Sequence, residues 1–282
     1  MRYLIISLSL FLSTCAAELA PEPVESTSPY SSTPPEITEY MAQPAILVFS
    51  ATKEWRHNEG IAGADRYFAE LATERGYGLY TTENGAVFTP DILDRFEVIV
   101  FNNVTGDVLS PEQREAFQAW LGKGGGWIGV HGSGDASHTS WPWYDKKLIG
   151  PEFIGHPAAP QFQDATLVSL MPEHPIMDGI PNEWQQNDEW YSFDGVPQSY
   201  GLTPLVGLDE SSYSPRNDVY GDVSDLRMGP KPVDHPIIWV GEYEEARFFY
   251  SAVGHMHTAY DNEIYAKLLE NAFDWVHQAS KD

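Results

Sequence analysis

Short, wholly apolar runs alternate along this chain with segments of helical periodicity, and that alternation is what most limits its fold. Ala45-Ile46-Leu47-Val48-Phe49-Ser50 is apolar on both faces, as a strand covered on both sides must be. A Trp55-Arg56-His57 loop follows. Ile61, Ala64, Phe68, Leu71 and Ala72 then recur at helical spacing up to a stop at Gly76. Residues 77–82 and 96–101 read as second and third strands. Ser110-Pro111-Glu112-Gln113 predicts a helix start, with Ser as N-cap, Pro at the first helical position and Gln placed for a capping box. That helix carries Phe117, Trp120 and Leu121 and ends before Gly124-Gly125-Gly126, and residues 127–131 form a fourth strand. Strands and helices joined by short connections predict parallel, right-handed crossovers in an α/β sandwich. Beyond residue 160, alternating segments at 165–169, 189–194, 202–207, 236–243 and 247–253 predict added, partly antiparallel strands. Ile264, Leu268, Ala272, Trp275 and Val276 mark a last amphipathic helix, with Asp261 as its expected N-cap. Residues 208–234, polar and rich in Pro, Gly and Asp, read as a long loop.

Apolar residues make up 42% of the chain, enough for a core and against global disorder. The 16 Lys+Arg face 41 Asp+Glu, a formal charge of −25. Such a surface repels phosphate backbones and anionic lipid heads, so nucleic acid is excluded as a partner class. The single cysteine, Cys15, rules out an intramolecular disulfide framework, a Cys-rich zinc knuckle and cysteine catalysis in the folded domain.

Residues 3–12 (YLIISLSLFL) follow one basic residue, Arg2, and fit an export signal too short to span a bilayer permanently. Leu12-Ser13-Thr14-Cys15 resembles a bacterial lipoprotein cleavage box, which makes Cys15 a lipidation candidate. Cleavage near Ala16-Ala17 is the alternative. Residues 16–43, rich in Pro, Glu, Ser and Thr and without Lys or Arg, read as a disordered tether. The expected organisation is a signal peptide with lipobox at 1–15, a tether at 16–43 and one domain at 44–282. The expected location is outside the cytoplasm, lipid-anchored, periplasmic or at the cell surface.

In open α/β sheets ligands bind beyond the carboxyl ends of the strands. Polar clusters stand at such ends: His57, His131-Gly132-Ser133-Gly134-Asp135, Asp188-Glu189-Trp190-Tyr191 and His255-Met256-His257-Thr258-Ala259-Tyr260. On an extended segment His255 and His257 point to one side, as two metal ligands or a base and its orienter would; capping of the last helix is the plainer reading. His131 precedes small residues that let backbone amides approach a ligand, or sits in a structural turn. Asp135 reads as a base or a helix cap, and His57 as a ligand grip or surface packing. Asp188 and Glu189 could supply a metal ligand or a general base, with Trp190 and Tyr191 as pocket wall. Of the three His-Pro pairs, His156 is a site candidate, whereas His174 and His235 read as structural; His277 reads as exposed. Trp141-Pro142-Trp143-Tyr144 could stack on sugar rings or fill the core. No Walker loop, HExxH or GxSxG occurs, and Gly124-Gly125-Gly126 precedes a strand, so it cradles no phosphate.

Five segments in order carry a family resemblance: Gly125-Gly126-Trp127-Ile128-Gly129-Val130-His131-Gly132, Phe153-Ile154-Gly155-His156-Pro157, Glu173-His174-Pro175-Ile176, Asp188-Glu189-Trp190-Tyr191 and Gly254-His255-Met256-His257-Thr258-Ala259-Tyr260. Over residues 45–279 the chain resembles the trehalose-utilisation ThuA-like family. The resemblance implies a flavodoxin-like, class I glutamine amidotransferase-like three-layer sandwich, with a mainly parallel sheet and extra antiparallel strands. It implies carbohydrate catabolism, on 3-keto-glycosides made by a partner sugar 3-dehydrogenase. Where the amidotransferases carry a nucleophilic Cys, this chain has His131, and their late His-x-Glu resembles His255-Met256-His257. Without a thiol, glutaminase chemistry is excluded. His131, His255 and His257 then become an expected three-imidazole face for a divalent metal, with Zn, Fe and Mn all fitting.

On a 3-keto-glycoside such a metal would polarise the C3 carbonyl and acidify the C2 proton. Glu189, Asp188 or Asp135 is the expected base, and His57 or Tyr260 the donor to the departing oxygen. His156, Trp141, Trp190 and Tyr191 are the expected substrate contacts. Elimination followed by hydration gives glycoside cleavage, whereas reprotonation elsewhere gives isomerisation. Two alternatives remain open in the sequence: a non-catalytic sugar-binding lipoprotein, and direct glycoside hydrolysis by a carboxylate pair such as Asp135 and Glu189.

Overall fold

Apolar runs become central strands because both of their faces are covered. A computed structural model describes residues 28–216 and 225–278. In it β1 (Ala45–Phe49), β3 (Val98–Asn102) and β4 (Gly126–Val130) are buried along their whole length. β2 (Gly78–Thr82) forms the parallel edge beside β1, with Ile46 opposite Leu79 on one side and Val98 on the other. β11 (Ala246–Ser251) lies parallel to β4. Beyond it the sheet turns antiparallel through β10 (Pro236–Tyr243), β9 (Thr203–Asp209), β6 (Phe162–Ser169) and β7 (Glu183–Glu189). The nine strands run β2-β1-β3-β4-β11-β10-β9-β6-β7, and β5 (Phe153–Gly155) pairs separately with β8 (Ser192–Phe193). This is the expected mainly parallel α/β sandwich with an antiparallel extension.

Helices start and stop where local chemistry dictates. α1 (Asn58–Arg75) ends at Gly76, whose positive φ of 67° places its N–H on the Ala72 and Thr73 carbonyls. α2 (Pro90–Leu93) and α4 (Pro142–Tyr144) are single turns. α3 (Pro111–Gly122) opens on the full Ser110/Gln113 capping box. α5 (Glu263–Gln278) departs from expectation at both ends. Asn262, not Asp261, caps it by accepting from the Ile264 and Tyr265 amides, while Asp261 pairs with Arg66 at 2.6 Å. His277 is buried, not exposed, and stacks on Phe273. Among the described residues no helix is long and apolar enough to cross a membrane.

One sequence segment differs from expectation, and two others lie outside the described residues. Cys15 and the export signal lie outside the described residues. Residues 28–43, expected as tether, lie against the domain: Gln113 donates to the Ser31 carbonyl (2.8 Å), Asn84 to Thr33 (3.0 Å), and Arg95 to Ile37 (3.0 Å) and Thr38 (2.6 Å). Within the long loop, residues 217–224 also lie outside the described part. Its far end packs back, with Leu226 buried and its N–H on the Pro215 carbonyl at 2.8 Å.

Gly60, in the first turn of α1, sets how closely that helix meets the chain after β11. A Cβ there would lie 2.3 Å from the Gly254 carbonyl oxygen and 2.8 Å from that of His255, both backbone atoms that cannot swing aside. Helix propensity favours alanine by ~1 kcal/mol, but overpacking costs ~1–3 kcal/mol, so the clash decides the sign. Gly60→Ala is expected to lower the thermal midpoint by several degrees, about 2–4 °C per kcal/mol. A rise in calorimetry would refute this packing.

Candidate functional site

Residues past the ends of β1, β3, β4 and β11 converge beside the switch point, where β2 and β3 leave β1 in opposite directions. After β4 the chain makes an elbow. Val130 is extended, His131 has a φ of 43°, and Gly132-Ser133-Gly134 completes a single 3-10 turn. A non-glycine residue in that region costs ~1–2 kcal/mol, so the surroundings must hold it. They do: the Tyr250 hydroxyl donates to the His131 carbonyl (2.8 Å), Gly132 N–H donates to Asn103 Oδ1 (3.3 Å), and Ser133 Oγ donates to the Phe101 carbonyl (2.8 Å). Glycine is required at 134, where a Cβ would lie 2.3 Å from the Tyr250 hydroxyl.

The elbow aims an imidazole inward. His131 Nδ1 lies 2.7 Å from the Ala252 carbonyl, which can only accept, so Nδ1 carries the proton. Nε2 then faces His255 Nδ1 at 3.1 Å and Glu189 Oε2 at 3.3 Å. His255 Nδ1 lies 3.1 Å from the same Glu189 oxygen. His57, at the start of α1, stands edge-on to both rings, with centroids 4.8 and 4.7 Å away, and its buried Nδ1 has no hydrogen-bond partner. One donor atom from each of His57, His131, Glu189 and His255 lies within 4.8 Å of the others. Three imidazoles and a carboxylate, with one imidazole nitrogen lacking a hydrogen-bond partner, form a group that could hold a metal ion.

Charge binds this group together. Burial favours a neutral Glu189, but hydrogen bonds from His131 and His255 outweigh it and hold the carboxyl below the usual range. Burial likewise opposes protonation of His131, yet the Glu189 hydrogen bond and charge raise its pKa. Burial and then the neighbouring His131 and His255 push His57 down to about 2, so its imidazole is neutral. Asp188, also buried, accepts from the backbone N–H of Glu189 (2.8 Å), Gly254 (2.8 Å) and His255 (3.1 Å). It therefore positions His255 and leaves Glu189 to meet the imidazoles.

A cavity of about 1020 Å³ opens from this corner. Asp135, His156 and Tyr191 line it, together with His57, Glu189 and His255. His156 Nδ1 is 3.2 Å from Glu189 Oε1, and the Tyr191 ring packs on His131 at 4.3 Å. Four expected site residues fall elsewhere. His257 is half-exposed and bonds Glu59, because Gly254 at φ 127° and the 3-10 turn from His257 onward break the extended geometry that would align it with His255. Trp141 is core, stacked on Tyr144 at 5.0 Å. Trp190 is buried with its indole N–H on the Gln163 carbonyl (2.9 Å). Tyr260 is buried beneath the turn, its hydroxyl donating to the Gly254 carbonyl at 3.4 Å. Sequence reasoning missed Asn103, which steadies the elbow, and Gln161, which donates to Glu189 Oε1. Neither stands in a motif. His235 acts structurally, bridging Glu210 (2.7 Å) and the Tyr191 carbonyl (2.8 Å).

Residues 45–276 match the family model described as ThuA, trehalose utilisation. The chain belongs to the ThuA family. A ThuA-like protein from Bacteroides uniformis has 24% identity over 86% of this chain and 94% of its own, with a TM-score of 0.70. A ThuA-like protein from Parabacteroides merdae has 15% identity over 83% of this chain and 89% of its own (TM-score 0.58). A cytoplasmic protein from Salmonella typhimurium has 12% identity over 82% and 99% (TM-score 0.52). These likenesses establish the ThuA fold. No curated protein matches the chain.

Metal analysis tests the cluster. Outer-shell removal typically costs ~10–100-fold in metal affinity, and loss of a ligand costs more. His131→Ala and His255→Ala are expected to lose stoichiometric metal, Asp188→Asn to weaken it, and His257→Ala to retain it. Equal losses at His255 and His257 would overturn the four-residue assignment.

Proposed function

We propose that this ThuA-family protein is a metal-assisted enzyme that cleaves 3-keto-glycosides by elimination and hydration. The observation that carries the reading is the buried His57–His131–Glu189–His255 group at the switch point, opening on a large cavity. Acyl transfer is disfavoured twice over. The elbow bears an imidazole, and the following N–H, which could have stabilised an oxyanion, is taken by Asn103. Direct hydrolysis by Asp135 and Glu189 is disfavoured because both Glu189 oxygens are already engaged, by His131 and His255 on one side and by His156 and Gln161 on the other. A pure binding module has no use for a buried, partnerless His57 nitrogen.

His57, His131, Glu189 and His255 would hold a divalent ion, which when bound would supply Lewis acidity to the keto sugar. The chain's own residues do the rest. Asp135 is the base: burial pushes its pKa up to about 6, against the pull of the Ser137 hydrogen bonds, which poises it near neutrality. It takes the C2 proton, and the C2–H electron pair forms the C2–C3 enolate. That pair returns to form the C1–C2 double bond as the C1–O bond breaks. His156, beside Glu189 on the cavity wall, protonates the departing oxygen, since His57 is neutral and Tyr260 is buried away. Water then adds across the enone, so the sum is hydrolysis; reprotonation without expulsion gives isomerisation. We further propose that the substrate comes from a sugar 3-dehydrogenase, and that the protein is exported and held at the membrane through lipid on Cys15.

The decisive assay follows aglycone release from nitrophenyl 3-keto-glucoside and from its unoxidised parent, with and without chelator. Release is expected only from the keto substrate and only with metal; an undiminished rate after chelation would sink the metal role. Asp135 must be ionised to act, so kcat/KM should rise with pH through about 6. Asp135→Asn is expected to abolish that limb and lower kcat by ~10²–10⁴-fold.

A further inference from the structure

The N-terminal arm reaches the cavity. Pro29 and Tyr30, which precede the span of the family match, line it with Lys53 and Trp55. We infer that Tyr30 and Trp55 form a subsite for the second ring of a two-ring glycoside, the leaving group, while the first ring meets the imidazole group. This rests on the keto-glycoside reading and deepens it.

Size comes first. Pockets for drug-sized ligands span ~300–1,000 Å³, and this one holds about 1020 Å³. One sugar ring leaves much of it empty. The imidazole corner is buried, whereas Trp55 at the rim is 79% exposed, the most open tryptophan among the described residues. Its backbone is nonetheless fixed, because Thr105 Oγ1 donates to its carbonyl at 2.9 Å. A large aromatic face held open on a fixed loop suits the apolar face of a ring.

Tyr30 is fixed as firmly. The Lys53 ammonium sits 4.0 Å from its ring centroid and donates to the Asp107 carbonyl at 2.7 Å. Gln113 holds the next residue, Ser31, and Asn84 and Arg95 hold the arm further on. The cations nearby are already engaged, Lys53 as above and Arg56 with Glu83 at 2.6 Å. The rim therefore offers ring faces and an acidic Glu54 but no free cation among the described residues, which favours a neutral aryl or sugar leaving group over an anionic one.

The test measures binding, so it does not depend on turnover. The probes are 3-keto-glucose and a phenyl C-glucoside oxidised at C3, whose carbon-linked ring cannot be expelled. Metal-loaded full-length protein is titrated calorimetrically, and thermal midpoints confirm folding. Wild type is expected to bind the two-ring probe about tenfold more tightly than 3-keto-glucose. Tyr30→Ala and Trp55→Ala should each cut that preference about fivefold and leave the one-ring Kd unmoved, and Tyr30→Phe should keep it. An unchanged preference in both alanine variants would overturn the subsite and leave the keto-glycoside reading standing. Binding of neither probe by wild type would overturn both.

Discussion

Two adjacent carboxylates, Asp188 and Glu189, are buried at the carboxyl end of β7, and the site is built around keeping both there. An uncompensated buried carboxylate costs several kcal/mol. The two are compensated differently. Asp188 takes three backbone amides, two of them from Gly254 and His255. Glu189 takes side chains: His131, His255, His156 and Gln161. One carboxylate thus fixes the main chain that presents His255, and the next fixes its ring. Removing either leaves its own buried partners unpaired: three backbone amides for Asp188, and the His131, His255, His156 and Gln161 side chains for Glu189.

This pair also explains what the antiparallel extension is for. β7 is the last strand in the sheet order, four places beyond β11, yet its final residue lies 3.3 Å from a ring at the end of β4. The extension must therefore curl back over the carboxyl ends of the parallel strands. Strand twist accumulates in that sense, and the register shifts between β10 and β9 near Pro236 and Ile238 add local bending. The small β5–β8 pair brings Phe153 against Tyr191 at 4.3 Å and so closes the cavity wall behind His131. A minimal parallel sheet would supply His57, His131 and His255 but not the carboxylate that organises them.

Legibility in the sequence followed the range of the forces involved. β1, β3, β4, the Gly76 stop and the Ser110 capping box are set by neighbours a few residues away, and each is where the pattern predicts. His131, His255 and Glu189 were visible as polar residues at strand ends. Their grouping was only half visible. The i, i+2 spacing of His255 and His257 implies a shared side only on extended backbone, and Gly254 at φ 127° with the turn beyond removes that condition. His57 takes the place that spacing gave to His257, through a contact between α1 and the chain after β11 that no local pattern encodes. The arm was misread for a related reason. Its Pro- and Ser-rich composition buries little apolar area, but its backbone carbonyls are held by Gln113, Asn84 and Arg95, long-range polar contacts that composition does not report.

The elbow shows why the chemistry can change while the backbone device stays. A residue at φ 43° after a central strand is held by the Tyr250 hydroxyl, Asn103 and Ser133, none of which belongs to the His57–His131–Glu189–His255 group. The frame accepts whichever side chain stands there. An imidazole adds one demand of its own, a partner for Nδ1, which Ala252 meets. With Nδ1 protonated, Nε2 is directed toward Glu189 and away from solvent. The neutral His57 beside it brings a buried nitrogen with no partner, at a cost of ~1–3 kcal/mol for an unsatisfied group. A cation between the rings would recover that cost, compensate Glu189 and leave Asp135, on the cavity wall, as the group free to move a proton.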